Sequence, residues 1–271
     1  MNEHQTTLSL SIMSGKGGVG KTNIALNLAY ALTAGGHSAL LMDCDLGLAN
    51  LDVLLGVVPE KNLEDLLDDS VTPEQVLVNL EPGRIDFLPS ASGVPELVEW
   101  DQDVQTILFQ KLNTCFEMYD FILLDLGAGI NSTVIELASM TTVQCVVISP
   151  EPTSLTDGYA LIKVLHTQKG HKDFQVIVNT ARSEKQGQQT FHRLQAACKQ
   201  FLNIEPVLLG TILEDPNLPK AVSSQTPLWK FAPNSQACKD IQNLSSSLLR
   251  LRSNSSFGST RPLKIPYGNL K

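Results

Sequence analysis

A glycine-rich octapeptide that directly follows a largely apolar run constrains the fold of this chain more than any other feature. Residues 8–13 form the run, and residues 15–22 match the pattern GxxxxGK[ST]. Glycines let consecutive backbone N–H groups turn toward one anion, and a helix that starts here adds its positive end. This order of strand, loop and helix predicts a phosphate-binding P-loop. Its residues are Gly15, Lys16, Gly17, Gly18, Val19, Gly20, Lys21 and Thr22.

Two P-loop side chains have the chemistry to bind a nucleoside triphosphate. Lys21 stands where an ammonium group reaches the β- and γ-phosphates, and Thr22 stands where a hydroxyl group ligates Mg²⁺. The backbone N–H groups of the loop would surround the same phosphates. We therefore predict that the nucleotide is bound by Gly15, Gly17, Gly18, Val19, Gly20, Lys21, Thr22 and Asn23.

Short apolar runs alternate with longer stretches in which apolar residues recur at helical spacing. Continuous apolar runs are typical of strands that are buried on both faces of a parallel sheet. We predict an α/β fold, a mostly parallel sheet with helices on both faces, as in P-loop NTPases. The predicted strands are residues 8–13, 39–42, 85–88, 121–124, 143–148, 174–178 and 207–213, and the predicted helices are 23–32, 105–116, 154–166 and 189–201.

The C-terminal part of the chain differs in composition. Residues 235–251 have helical character, and from Arg250 onward there are five basic residues and no acidic ones. We predict a single P-loop ATPase domain over residues 1–252 and a flexible basic tail over residues 253–271, because chain ends of this composition are commonly disordered. The alternative is that the tail makes a weak or transient contact with a membrane or a partner.

Charge and cysteine content exclude several classes of protein. Twenty basic and 28 acidic residues give a net charge of −8, which disfavours binding to DNA. The five cysteines form no CxxC pair, so neither a zinc site nor an iron–sulfur cluster site is predicted. No apolar run approaches the roughly 20 residues of a membrane span, and the N-terminus has no leader pattern. We expect a cytoplasmic location, with the inner face of the cell membrane as a peripheral alternative.

Acidic residues follow two of the predicted strands. Asp43 and Asp45 follow the second strand, and Asp125 follows the run at 121–124. Ligands of open α/β sheets bind beyond the carboxyl ends of the strands, so these carboxylates should face the phosphates. An apolar run that ends in an aspartate is the Walker B arrangement for Mg²⁺. Asp52 is left open between this site and a role as a cap of the following segment.

The octapeptide has an additional lysine, Lys16, directly after its first glycine. This lysine is typical of the deviant Walker A class of ATPases, the ParA/MinD class, which this chain resembles. The resemblance implies ATP or ADP and Mg²⁺ as cofactors and a homodimer when ATP is bound. It also implies two catalytic residues. Lys16 would reach the phosphates bound by the other subunit, and Asp45 would orient the attacking water, while Thr22, Asp43 and Asp125 would serve the metal.

Two later positions resemble the adenine-binding part of that class. Asn179 follows the predicted strand at 174–178, and Asp215 lies in an acidic loop after the strand at 207–213. An asparagine side chain can both donate to and accept from a purine edge. The alternative for Asn179 is an ordinary turn residue at the end of a strand.

Three segments resemble the FlhG/FleN subfamily of flagellar-number regulators: residues 21–23, 45–56 and 150–157. The resemblance implies a spatial regulator of flagellar number and placement whose partners belong to the flagellar assembly or its regulators. The chain departs from the subfamily at Gly158, where Ala is usual, and at Leu126, where many relatives have Thr. Only seven residues precede the first predicted strand, so an N-terminal activator motif is not expected.

Several alternatives share the P-loop. A MinD-like division-site ATPase would have the same chemistry, and a nucleotide-gated interaction module would have negligible turnover. A ParA-like partition ATPase would need DNA binding, which the net charge disfavours. An iron–sulfur carrier would need the absent CxxC pair. For the main interpretation we expect hydrolysis to be slow without a partner.

Overall fold

The computed structural model describes residues 7–45, 51–81, 83–90, 102–254 and 263. Within this part, eight strands form one sheet in the order β3-β4-β2-β5-β1-β6-β7-β8. All seven predicted strands are present, and four of them extend further toward their C-terminal ends. The strands are β1 Leu8–Ser14, β2 Ala39–Cys44, β3 Val78–Glu81, β4 Ile85–Leu88, β5 Phe121–Ala128, β6 Val143–Ile148, β7 Phe174–Ala181 and β8 Val207–Leu213.

The sheet is parallel except at one edge. β3 pairs with β4 in antiparallel orientation, and it is the one described strand that the apolar pattern did not predict. Its four residues are at most half-buried, so it has no continuous apolar run of the kind that marks the central strands. The predicted α/β fold with a mostly parallel sheet is confirmed.

Helices cover both faces of the sheet. One hydrophobic cluster joins the sheet to α4, α5, α6 and α7, and a second joins the other face to α1, α8, α9 and α10. The described helices are α1 Lys21–Ala34, α2 Leu51–Leu55, a 3-10 helix Leu63–Leu67, α3 Pro73–Val76, α4 Gln102–Phe116, α5 Ser132–Met140, α6 Pro152–Lys169, α7 Glu184–Leu202, α8 Asn217–Ser223, α9 Leu228–Phe231 and α10 Gln236–Asn254.

Helix boundaries differ from the predictions where polar caps set the start. α7 begins five residues before the predicted helix because the Ser183 hydroxyl accepts a hydrogen bond from the N–H of Gln186 at 3.2 Å. α5 was not predicted, and it starts after Asn131, whose side chain accepts from the N–H of Val134 at 2.8 Å. Capping side chains therefore define helix starts that the apolar periodicity alone did not locate.

The end of α10 is anchored beside the N-terminal end of β5. The Arg252 side chain is 6% exposed and donates to Asp120 at 2.8 Å, while its guanidinium carbon lies 5.0 Å from the ring centre of Phe121. Leu263 is buried in the cluster on the opposite face of the sheet from α10. The flexible tail at 253–271 stays a prediction for the residues outside the described part. No helix in the described ranges is long and apolar enough to cross a bilayer.

Candidate functional site

The P-loop joins the end of β1 to the start of α1, as predicted. Gly18 and Gly20 have φ angles of 77° and 91°, a left-handed conformation that glycine adopts readily. Gly20 is the N-cap of α1, and it makes no side-chain hydrogen bond to the N–H groups of this helix start. A helix start without a side-chain cap leaves its N–H groups and its positive end to bind an anion.

Gly15 fits a close approach between the P-loop and α6. A Cβ atom at Gly15 would lie 2.2 Å from the backbone oxygen of Asp157, a separation that real Cβ atoms do not adopt. The Ser14 hydroxyl donates to the carbonyl of Lys16 at 2.6 Å and so holds the next turn of the loop. The first P-loop glycine is therefore required by packing against a helix backbone.

Lys21, Asp125 and Asp45 form a charged group at the carboxyl edge of the sheet, in which Lys21 and Asp125 are buried and Asp45 is half-buried. Burial lowers the pKa of the Lys21 ammonium, whereas the charges of Asp125 and Asp45 raise it. Lys21 is only 8% exposed, so a polyanion that reached it would find a cation with little water around it. A buried ammonium group in this position is suited to bind the phosphate groups of a nucleotide.

Asp43 and Asp125 lie side by side, since they are paired in the register of β2 and β5. Burial raises the pKa of Asp125 to about 7; a hydrogen bond from Thr22 lowers it and the charge of Asp43 raises it. The Oδ1 atom of Asp125 is buried and has no hydrogen-bond partner in the part of the chain that the structure describes. A carboxylate in this condition fits a cation that Thr22 and phosphate oxygens would share.

The position of Asp125 corrects one detail of the prediction. Asp125 lies inside β5 and does not follow it, because pairing with β2 continues to Cys44 and Leu126, and pairing with β1 continues to Ser14 and Ala128. Asp43 and Asn179 likewise lie inside strands, because β2 continues to Cys44 and β7 continues to Ala181.

Asp43 also holds the segment that carries Asp45. Its Oδ1 atom accepts the N–H of Asp45 at 3.0 Å, and its Oδ2 atom accepts the N–H of Leu51 at 3.2 Å. The Asp45 carboxylate lies beside Gly127, where an added Cβ would be 3.2 Å from Oδ1 of Asp45. The structure therefore brings the predicted water-orienting carboxylate next to Gly127 of the Walker B segment.

Lys16, the lysine that is typical of the deviant Walker A class, lies at the rim of the site. The Lys16 side chain is 38% exposed; its ammonium forms a salt bridge with Glu151 and donates to the Thr153 hydroxyl at 3.2 Å. Sequence reasoning used residues 150–157 only as a family marker and missed these contacts. The signal was available, since this segment follows a strand whose carboxyl end lies at the same edge of the sheet. The cross-subunit role of Lys16 stays a prediction.

The remaining predicted residues have mainly local contacts in the described chain. Asp215 accepts from the N–H and the side chain of Asn217 at 2.9 and 3.0 Å and from the N–H of Ala237 at 3.0 Å. Asp52 lies in the first turn of α2 and accepts the N–H of the adjacent Val53 at 2.7 Å. Asn23 is the third residue of α1 and is half-buried. Their contacts with a nucleotide stay predictions.

The described residues contain no group of three or more His, Cys, Asp or Glu side chains that would hold a metal ion. Thr22 and the nearby acids would hold Mg²⁺ at this edge together with phosphate oxygens of a bound nucleotide. Mg²⁺ commonly binds in this way, through one or two protein oxygens and substrate phosphates.

Comparison with known proteins decides the family. The profile of the CobQ/CobB/MinD/ParA nucleotide binding domain matches residues 10–228, which is most of the chain. The chain belongs to this family. The predicted class of the P-loop is thereby confirmed.

Two relatives match most of this chain. The antiactivator FleN of Pseudomonas aeruginosa is 36% identical over 84% of this chain and 81% of its own length. The flagellum site-determining protein YlxH of Helicobacter pylori is 32% identical over 98% of this chain and 87% of its own length. The predicted resemblance to flagellar regulators is confirmed.

A solved family structure shows what the same fold binds. The septum site-determining protein MinD of Pyrococcus horikoshii, complexed with Mg-ADP, superposes with a TM-score of 0.72 at 28% identity, covering 90% of this chain and 97% of that one. In that neighbour the fold holds a nucleotide and Mg²⁺, the ligands that the geometry of Lys21, Thr22 and Asp125 suits here.

Proposed function

We propose that this protein is a Mg-ATP-dependent dimerising ATPase that regulates the number and placement of flagella. Lys16 carries the proposal, since it lies at the rim of a P-loop site with its side chain 38% exposed. A lysine that served only its own subunit's phosphates would be expected to point inward, as Lys21 does. The similarity to the flagellum site-determining protein YlxH, and to FleN of the subfamily that the sequence motifs resemble, supports the biological role.

The proposed reaction uses the chain's own residues to bind, orient and exclude water. The P-loop N–H groups and Lys21 bind the triphosphate, and Asp45 orients the attacking water beside Gly127. Mg²⁺ would be held by Thr22 and phosphate oxygens, with Asp125 and Asp43 close by, and it would neutralise charge on the transferred phosphoryl group. Lys16 of each subunit completes the partner's site, placing a cation where negative charge develops.

Dimerisation follows the nucleotide in this proposal. Two bound triphosphates need two additional cations, and the facing subunit supplies them only when the dimer is closed. Lys16 must then exchange its contact with Glu151 for one with the other subunit's phosphates. Hydrolysis removes the γ-phosphate and releases the dimer, so turnover acts as a timer for binding to partners in the flagellar assembly.

The test is the molar mass in solution, measured by light scattering with and without Mg-ATP. The wild-type protein is expected to double its mass with ATP, and Lys16→Ala is expected to stay monomeric while it still binds ATP. Equal dimerisation by both proteins would contradict the role across subunits. Lys163→Ala is a matched control because Lys163 is an exposed lysine of α6 outside the P-loop.

Asp45→Ala tests the catalytic assignment separately. This variant is expected to bind ATP, to dimerise and to release phosphate far more slowly than the wild-type protein. Rapid phosphate release by Asp45→Ala would remove the water-orienting role. A dimerising wild-type protein without measurable phosphate release would favour the interaction module with negligible turnover.

A MinD-like division role is the second candidate, since MinD of Pyrococcus horikoshii superposes over most of the chain. It is distinguished by the phenotype of a deletion strain. A change in flagellar number with normal division-site placement supports the flagellar role, and misplaced septa with normal flagella support the other.

A further inference from the structure

Ser14, the last residue of β1, contacts two separate parts of the site. It is buried, its hydroxyl donates to the backbone carbonyl of Lys16 at 2.6 Å, and its own carbonyl accepts the N–H of Gly129 at 2.9 Å. The first contact lies at the start of the P-loop, and the second reaches the Walker B segment, residues 125–129. One buried residue therefore joins the turn that carries Lys16 to the segment that carries Asp125.

The contact with Gly129 closes a β-bulge between β1 and β5. Ile12 is paired with Asp125 and Ser14 is paired with Ala128, so an advance of two residues along β1 matches an advance of three along β5. Gly129 then has a φ angle of 102°, a left-handed conformation. Bulges are common next to active sites, where they redirect the backbone. The position of Ser14 therefore determines where the Walker B segment returns to the sheet.

The turn that carries Lys16 is fixed from two sides. The Ser14 hydroxyl holds the Lys16 carbonyl, and Gly15 lies against α6, where an added Cβ would be 2.2 Å from the backbone oxygen of Asp157. A lysine side chain has a long flexible stem, so its ammonium group is placed accurately only when the backbone at its base is held. The salt bridge of Lys16 with Glu151 starts from this held backbone.

A serine that bonds to the backbone two residues later is also found in ordinary turns, where it stabilises only local structure. Ser14 differs from such a turn residue because its carbonyl is bonded to a segment that lies more than 100 positions later in the chain. The two segments also approach each other directly, since a Cβ atom at Gly17 would lie 3.9 Å from Cβ of Ala128. The hydrogen bonds of Ser14 therefore lie at a junction between the P-loop and the Walker B segment.

We propose that Ser14 is a positioning residue that places Lys16 for its contact with the other subunit and couples this placement to the Walker B segment. The inference rests on the proposed function for the role of Lys16 in the dimer. Because one residue makes both contacts, a displacement of the Gly129 N–H also displaces the turn that carries Lys16. A change of the Walker B segment during hydrolysis thereby weakens the contact between the subunits.

The first test measures dimerisation of the full chain with Mg-ATP by analytical ultracentrifugation. Ser14→Ala removes the hydroxyl, and Ser14→Cys keeps a side chain of similar shape whose S–H group is only a weak donor. The dissociation constant of the dimer is expected to rise about tenfold in Ser14→Ala, the effect of one lost hydrogen bond, and by a smaller factor in Ser14→Cys. If Ser14→Ala does not fold, Ser14→Cys carries the test.

The affinity for ADP separates a misplaced Lys16 from a damaged nucleotide site. Lys21 is the first residue of α1, so its position depends on that helix. Calorimetric titration with Mg-ADP is therefore expected to give the wild-type dissociation constant for Ser14→Ala and Ser14→Cys. A loss of ADP affinity as large as the loss of dimer affinity would assign Ser14 to the nucleotide site as a whole and overturn a specific role toward Lys16.

Hydrogen exchange measured by mass spectrometry tests the coupling without a dimer. In the ADP-bound protein, Ser14→Ala is expected to speed amide exchange in peptides that contain residues 15–19 and also in peptides that contain residues 127–131. The Gly129 N–H faces a backbone carbonyl that the substitution keeps. Faster exchange at Gly129 would therefore report that this carbonyl has moved.

Ser11→Ala is the matched control. Ser11 is buried in the same strand, and its hydroxyl donates to the backbone carbonyl of Val143 at 3.3 Å. This variant is expected to have a lower free energy of unfolding in urea than the wild-type protein. Its dimer dissociation constant and its exchange in both groups of peptides are expected to match the wild-type values. Equal effects of Ser11→Ala and Ser14→Ala on dimerisation would reduce the role of Ser14 to general stability.

Two further results would overturn the inference. An unchanged dimer dissociation constant in Ser14→Ala would remove the placement of Lys16, and faster exchange confined to residues 15–19 would remove the coupling to the Walker B segment. A wild-type protein that stays monomeric with Mg-ATP would contradict the proposed function and with it the role of Ser14 in the dimer. The exchange at residues 127–131 would still decide whether Ser14 couples the two segments.

Discussion

Replacing Asp125 by asparagine should stabilise the nucleotide-free protein, and by an amount that depends on pH. The Asp125 carboxyl is 2% exposed, and burial raises its pKa from 3.8 to about 7. A raised carboxyl pKa means that the folded state holds its proton after the unfolded state has released it. Asp125 therefore lowers the free energy of unfolding of the wild-type protein as the pH rises from about 4 to about 7. The neutral amide of Asp125→Asn makes no such pH-dependent contribution.

The size of the effect follows from the same values. The pKa of Asp125 lies about 3 above that of the free side chain, and each pKa unit corresponds to about 1.4 kcal/mol. Above pH 7, Asp125→Asn should therefore be more stable than the wild-type protein by about 4 kcal/mol. The attraction of Lys21 is already included, since it is one of the influences on that pKa. Between pH 5 and pH 8 the difference should grow by about 3 kcal/mol.

The assay is urea denaturation followed by circular dichroism between pH 5 and pH 8.5, without nucleotide or Mg²⁺. Asp120→Asn is the matched control, because burial raises the pKa of Asp120 but hydrogen bonds from Ser38 and Arg252 outweigh it and hold that pKa below 3.8. Ionised Asp120 stabilises the folded state above about pH 4. Asp120→Asn should therefore have a lower free energy of unfolding than the wild-type protein at every pH of the assay. A difference between Asp125→Asn and wild type that did not change with pH would refute the reasoning.

Three further substitutions test the packing around the site. Gly15→Ala places a Cβ atom 2.2 Å from a backbone oxygen of α6, and the displaced P-loop should slow phosphate release by roughly 100-fold. Gly158→Ala places a Cβ atom 2.6 Å from Cγ2 of Ile148, and urea denaturation should show a loss of about 1–3 kcal/mol from overpacking. Arg252→Ala removes the guanidinium group that donates to Asp120 and lies over Phe121, and it should cost about 1–3 kcal/mol in the same measurement, with ATP binding unchanged.

Much of the fold was predictable because the central strands are buried on both faces and therefore read as continuous apolar runs. β3 was missed since only one of its edges is paired and none of its residues is fully buried. α5 was missed because its start depends on the side chain of Asn131, a contact between a residue and the backbone three positions later. Local caps and edge strands leave weak periodic signals, so pattern reasoning locates them poorly.

The residue types of the site were also predictable, but their contacts were not. The P-loop and the acids follow from spacing and from the rule that ligands bind at the carboxyl ends of parallel strands. The contact of Lys16 with Glu151 joins residues 135 positions apart, and the contact of Asn179 with Val19 joins residues 160 positions apart. Such contacts depend on strand order, and a single sequence does not specify which strand becomes the neighbour of β1.

The hydrogen bonds of Asp43 change the role that its sequence position predicts. The sequence predicted a metal role for it, yet it lies inside β2 and its two oxygens accept the N–H groups of Asp45 and Leu51. Replacing Asp43 by a neutral residue should therefore lower the rate of ATP hydrolysis more than the affinity for ATP. Asp45 would lose the hydrogen bond that positions it, whereas the P-loop would keep its conformation. The reverse result, weak ATP binding with normal turnover at saturation, would assign Asp43 to the metal instead.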